Sequence, residues 1–416
     1  MIAEKEVQLK NRYSLSEFSG AVGDLGTTLP LAFALIISNG FPAGRIFFLW
    51  GVVYLVTGWY YKVPVSVQPL KAMAVIAITA GFSTGMLSTA ALMYGLLFVL
   101  LSGTGLISYL EKWFSQAIVR GVQLGIGLLL AQKALSLIYK KTLYLNGEVP
   151  AGKWIFLLVA ATIFLLIAGR YIFKKPVALF IILGSILSGL LLGIHPVSSG
   201  GGPPVLFSMP EWSRWANILI LLIIPQIPLT LGNAVYAAND ACHEFWPERS
   251  VRVSPGKLGG SIGLANILIG LTGGFPVCHG AGGMAAHHRF GAKTGGTTII
   301  LGGAFILLGL VDKLSLSLFL IPIPILGTLL FFDSWQMIIL IRRLPNYSAV
   351  AAASVVGIVS LVTHNLTIAL LAGLITERIL KIERLHGALE KVAGRRISQN
   401  FYQYLIAKLK WSTTDD

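Results

Sequence analysis

Charge is scarce in this chain. Only 12% of its 416 residues are Asp, Glu, Lys or Arg, while 55% are hydrophobic. Soluble domains carry about 25% charged residues, so this sequence has too little charge to coat a water-soluble surface of its size. Cysteine is scarcer still. Cys242 and Cys278 are the only two, which excludes a disulfide framework. The polar/apolar alternation of a membrane β-barrel is missing. No G-x-x-x-x-G-K-[ST] run occurs, so ATP does not drive this protein directly. No nucleophile–base pair or cluster of His, Asp and Glu falls in one apolar stretch, so an enzyme is not expected. Met1 to Arg12 is polar and no A-x-A-like site follows an early apolar run. A cleaved signal peptide is therefore not expected, and the first span serves as its own signal.

Long apolar runs fill the space that charge leaves. Each is long enough, at 17 to 25 residues, to cross about 30 Å of hydrocarbon. Forty-six glycines and 18 prolines suit interrupted, closely packed membrane helices. The expected class is an all-α polytopic membrane protein. Its predicted spans are 19–38, 44–61, 66–80, 86–108, 116–138, 152–172 and 176–194, then 215–241, 257–273, 279–289, 294–311, 314–331, 346–363 and 364–380. Seven precede the Gly/Pro/Ser loop 195–210 and seven follow it. The third and, more clearly, the tenth are too short to cross.

A net charge of +15 raises the question of nucleic acid, but the basic residues sit in short loops and the C-terminal tail. That is the pattern of cytoplasmic loops on anionic lipid. With the N-terminus placed in the cytoplasm, most Lys and Arg fall inside, among them Lys62, Arg120, Lys174, Arg252, Arg289 and Arg342. Both termini are thus expected in the cytoplasm of a cell inner (plasma) membrane protein. The expected division is a cytoplasmic segment 1–18, a first membrane repeat 19–194, an extracytoplasmic loop 195–214, a second repeat 215–380 and an amphipathic cytoplasmic tail 381–416. Trp50, Trp59, Trp113 and Trp154 are read as interface anchors.

The halves resemble each other. Gly23-Asp24 in the first span matches Gly232-Asn233 in the eighth. Pro64-Val65 in the third matches Pro276-Val277 in the tenth. An odd number of spans per half inverts the second copy. Short, Gly/Pro-interrupted segments at matching places in inverted halves point to a midplane binding site.

Four stretches are polar inside the membrane without structural need. They are Phe18-Ser-Gly-Ala-Val-Gly-Asp-Leu-Gly-Thr-Thr-Leu-Pro30, Pro64-Val-Ser-Val-Gln-Pro-Leu-Lys71, Pro225-Gln-Ile-Pro-Leu-Thr-Leu-Gly-Asn233 and Pro276-Val-Cys-His-Gly-Ala-Gly-Gly283, with Arg289-Phe-Gly-Ala292 beyond the last. They closely resemble the signature segments of the molybdate transporter family, a relative of the SulP sulfate permeases. The resemblance implies a fourteen-segment 7+7 inverted repeat with a mobile core domain and a gate domain. It implies that segments 3 and 10 are half-helices with substrate between their N-termini, that transport follows an elevator-type alternating access, and that the protein pairs as a homodimer. SulP permeases usually carry a STAS domain. Too few residues follow the last span here for one, so regulation of that kind is not expected.

Physical chemistry agrees. A helix N-terminus offers free N–H groups and a positive dipole end, which suits an anion. The expected substrate-binding residues are Gln68, Pro69 and Lys71 from the third segment, Gln226, Thr230 and Asn233 from the eighth, and Cys278, His279, Gly280, Ala281, Gly282 and Gly283 from the tenth. Gln68, Thr230, Asn233 and His279 supply neutral donors, and the glycines let backbone approach the ligand. Asp24 is read as the one acidic residue well inside a span. It either carries a coupling proton or pairs with Lys71, since intramembrane charges seek partners. Cys242-His243 and Cys278-His279 have the composition of a zinc site but lie at different depths, so no metal is expected, and no cofactor. His287-His288 reads as a solvated basic cluster. Sulfate and tungstate share molybdate's shape and charge and are the alternative substrates, and an anion channel is the alternative class. The expected partners are the oxyanion, lipid and protons, with no nucleic acid.

Overall fold

The structure is a computed structural model. It describes residues 9–380, apart from 111–113, 146–148, 151, 170–171, 173–176, 197–206 and 208. The expected tail 381–416 and Trp113 therefore lie outside the described residues.

The chain is helical and runs through fourteen segments, seven in each half. The first is a broken pair, α1 (Leu15–Val22) and α2 (Leu25–Asn39), bent by 44° at Gly23-Asp24. Then come α3 (Ala43–Tyr61), the strand β1 (Gln68–Pro69) leading into α4 (Lys71–Ala80), α5 (Thr84–Gly103), α6 (Gln116–Ile138), α7 (Trp154–Ala168) and α8 (Val177–Leu191). The eighth segment is continuous over Trp212–Phe245 and contains α9 (Trp215–Ile218), α10 (Ile224–Leu229) and α11 (Ala237–Phe245). The second half continues with α12 (Pro255–Leu271), β2 (Val277–Cys278) into α13 (Ala281–Arg289), and α14 (Gly296–Leu310). A short α15 (Asp312–Ser317) precedes α16 (Ile323–Ile338), α17 (Tyr347–Thr363) and α18 (Leu366–Leu380).

Local chemistry sets several ends. Ser83, Ser115, Ser254 and Asn346 cap α5, α6, α12 and α17 by accepting a first-turn N–H, which removes orphan donors from the helix starts. Within the eighth segment, Pro225 and Pro228 cannot donate backbone hydrogen bonds. The helix widens to π turns on both sides of them, at Leu219–Ile223 and Thr230–Tyr236.

Helix packing divides the segments into two groups. Core segments meet through α3 with α14 and α5 with α12; gate segments meet through α6 with α16 and α17. The core pairs are interchanged when the two halves are exchanged, as an inverted repeat requires. Glycine explains how closely they pack. Gly44, Gly51 and Gly58 of α3 face Gly309, Gly302 and Gly295, backbone against backbone. Gly95 of α5 faces Gly263 of α12 in the same way. In lipid, where apolar contact alone gives little preference, such close approach drives helix association.

The twelfth segment departs from expectation. The hydropathy reading placed it at 314–331, but α15 turns 96° away from α14 and the crossing helix begins at Ile323. Pro322 and Pro324 mark that start, since proline is favoured at the first helical positions. The shift carries Asp333 into the middle of α16, where it is 3% exposed. Two more residues differ from expectation. Trp50 is fully buried and donates to the Phe275 carbonyl at 2.9 Å, so it is a core residue. Trp59 and Trp154 are exposed. Glu17 is buried in the first turn of α1, bonded to the Lys293 and Thr294 amides and to Thr297.

Candidate functional site

The third and tenth segments meet. β1 and β2 pair antiparallel, with Gln68 opposite Cys278 and Pro69 opposite Val277. The Leu70 amide adds a bond to the Pro276 carbonyl at 3.0 Å. Extended backbone at this depth is tolerated only where protein satisfies it, and each strand does that for the other. The helices then lead away in opposite directions. The first turns of α4 and α13 are left beside the crossing, each with unpaired N–H groups to satisfy.

The two first turns are satisfied differently. On α4, the Ala72 and Met73 amides donate to Gln226 Oε1 at 2.9 and 3.2 Å, and Gln226 Nε2 donates to Thr230 Oγ1 at 3.0 Å. On α13, the amides of Ala281 and Gly282 have no partner among the described residues. Gly282 is exposed, and a side chain there would meet open space. The side chain of Asn233, half-buried on the π turn, likewise has no hydrogen bond among the described residues.

Three predicted ligands are held by the protein's own groups. His279 is buried with both ring nitrogens engaged: Nε2 with Ser261 Oγ at 2.8 Å, and Nδ1 with the Ser66 carbonyl at 3.0 Å. The carbonyl can only accept, so Nδ1 carries the proton. A ring held this way has no donor left for a ligand. Gln68 Nε2 donates to Asp24 Oδ1, and its Oε1 fills the space a side chain at Gly280 would need. Cys278 is buried within β2, and Cys242 lies apart, its Sγ 3.5 Å from the Met284 sulfur. His287 is not solvated. It is buried and bonded to the Gly20 carbonyl at 2.8 Å, while exposed His288 stacks on Phe245.

The charges also sort differently. Asp24 stands at the break between α1 and α2 and accepts from Gln68, from Thr27 Oγ1 at 3.0 Å and from Tyr54 at 3.4 Å. Its partners are neutral donors, not Lys71. Lys71 opens α4 and lies 4.0 Å from Asp333 Oδ1, its side chain still 20% exposed. Sequence reasoning missed Asp333 because the twelfth span was drawn too early. Reading Pro322-Ile-Pro324 as a helix start would have found it. Tyr54, Ser66 and Ser261 carried no signal in sequence, since a lone hydroxyl in an apolar run has many uses.

Paired broken segments, opposed helix N-termini and a lysine at one of them define an inverted-repeat membrane transporter of anions. The chain belongs to the family described as "Molybdate transporter of MFS superfamily", which matches residues 16–130 and 219–337, the first five and the eighth to twelfth segments. It is 29% identical to "Molybdate transporter 1" of Arabidopsis thaliana over 81% of this chain and 82% of that one. It is 28% identical to "Molybdate transporter 2" of the same plant, over 80% of each. Among solved structures it is similar to the transmembrane domain of the cyanobacterial bicarbonate transporter BicA. The TM-score is 0.64 at 18% identity, covering 86% of this chain and 97% of that one. Murine Slc26a9, an anion transporter in the inward-facing state, gives 0.67 at 12% identity over 90% and 69%. These two share the fold.

Proposed function

We propose that the protein is a secondary transporter of a tetrahedral oxyanion, molybdate, in which the core segments carry the site past the gate segments. The observation that carries this reading is the crossing of β1 and β2. It sets the Lys71 ammonium at the head of one half-helix and the open, uncapped start of α13 near the other. A cation at a helix N-terminus is unfavourable alone. It becomes favourable when an anion sits there. Oxygens of the protein's own side chains reach these groups: Gln226 Oε1 takes two amides and Asp333 takes Lys71. A dianion with four oxygens is suited to compete for the same groups.

The family and the named relatives support molybdate over other anions of the same shape. Proton coupling, two cytoplasmic termini and a homodimer complete the proposal. Purified protein in proteoliposomes is expected to accumulate molybdate saturably when the outside is more acidic. Tungstate should compete well and sulfate poorly. Stronger competition by sulfate would reassign the substrate. Downhill flux without saturation would make it a channel. No flux of any oxyanion would overturn the reading.

A further inference from the structure

Asp24 and Asp333 are both buried carboxylates, yet only Asp24 is fully provided for. Asp333 Oδ1 has the Lys71 ammonium at 4.0 Å, and its Oδ2 is buried with no hydrogen-bond partner. Hydroxyls on its own helix do not help, because Ser334 donates to the Phe331 carbonyl and Thr328 to the Pro324 carbonyl. Lys71 is thus the one charged support of this carboxylate among the described residues, and Lys71 belongs to the core while Asp333 belongs to the gate.

We propose that Asp333 takes up a proton when the oxyanion binds. The proposal rests on the reading of the site as an oxyanion site. An oxyanion at the half-helix starts offers Lys71 a doubly charged partner and draws it off Asp333. A buried carboxylate without a counter-ion is more stable protonated than ionised. One proton from the aqueous phase then binds Oδ2, and the same proton leaves when Lys71 returns. The consequence is an interlock. The empty core is held to the gate by an ion pair, whereas the loaded core faces a neutral carboxylic acid and is free to move.

The other titratable groups near α16 are few. Asp24, at the head of α2, which packs on α16, takes its own hydrogen bonds from Gln68, Thr27 and Tyr54. On α6, Gly127 meets Ser334, which sets Asp333 level with the stretch between Arg120 and Lys133. Arg342 and Arg343 follow in the turn Ile339–Arg343, and α7 carries no titratable side chain.

Two measurements test this. Calorimetric titration of wild type with molybdate, in buffers of different ionisation enthalpy, is expected to show uptake of about one proton per anion bound. Asp333→Asn should take up none and bind molybdate about three- to tenfold more tightly, because no internal carboxylate competes for Lys71. Proton uptake that persists in Asp333→Asn, or wild-type binding without proton uptake, overturns the proposal. The second measurement needs no anion. Infrared spectra of Lys71→Met at neutral pH should show a carboxylic-acid carbonyl band that Lys71→Met/Asp333→Asn lacks. Absence of that band overturns the proposal even if molybdate binds. Its presence in a protein that binds no oxyanion would sink only the assignment of substrate.

Discussion

The third and tenth segments are the same device built with different chemistry. Each is a short strand, an N-cap in extended conformation and a half-helix, at matching places in the two halves. Position by position they diverge. The caps are Leu70, whose side chain is buried in the core, and Gly280, which has none because Gln68 occupies the space. The first helical residues are Lys71 and Ala281. The second and third amides are capped by Gln226 on α4, while on α13 the Gly282 amide has no partner among the described residues. Symmetry supplies the crossing, and asymmetry supplies a charged, capped side against a neutral, open one. A ligand that needs both charge and room fits between them.

The largest effect should come from filling the cap that has to be empty. Gly280 has φ −77° and ψ 123°, a conformation any residue adopts, so backbone strain is not the issue. A side chain there drives Gln68 out of place and takes a donor from buried Asp24. Overpacking and a lost buried hydrogen bond together cost about 2–5 kcal/mol. Gly280→Val should therefore lower the unfolding midpoint in detergent strongly and reduce the monodisperse fraction on size-exclusion. A wild-type midpoint would mean that the two caps are interchangeable after all.

Next comes the charge. Replacing Lys71 by Gln removes the ammonium but keeps polar hydrogen bonding at the start of α4. Charge-assisted hydrogen bonds contribute about 1.5–3 kcal/mol, so molybdate affinity should fall by about 10- to 100-fold. Equilibrium binding and saturable uptake both read this. If affinity is unchanged, the charged side of the comparison serves structure alone.

How much of this was legible beforehand follows from what kind of signal each residue leaves. Hydrophobic length fixes spans such as 116–138, which α6 matches end to end. Proline and glycine marked the two short segments as broken, because breaks inside lipid are costly and therefore informative; that the two meet came from the family resemblance. Side-chain direction left no such trace. His279 looked like a ligand because it is polar and central, yet Ser261, 18 residues upstream, and the Ser66 carbonyl hold it. Only three-dimensional packing decides which way a ring points. Asp333 was hidden by a boundary error of nine residues at the start of α16. Moving one proline-marked helix start reassigns the partner of Lys71, and with it the role expected of Asp24.

The smallest effect, and the sharpest test of the open side, is at Gly282. Its surroundings leave a methyl group in free space, and it sits in the second position of α13. Alanine is favoured over glycine in helices by about 0.5–1 kcal/mol. Gly282→Ala should therefore leave the unfolding midpoint unchanged or slightly raised. The added methyl does intrude on the space the anion is proposed to use, and it crowds an amide that has no other partner. Molybdate affinity should drop by about three- to tenfold, or about 0.7–1.4 kcal/mol. The same methyl already exists at the second position of α4, where Ala72 is buried and its amide is spent on Gln226. A Gly282→Ala protein with raised midpoint and unchanged affinity would show that the open side is not where the ligand rests. The anion would then have to be sought on the Lys71 side alone, with Gln226 displaced.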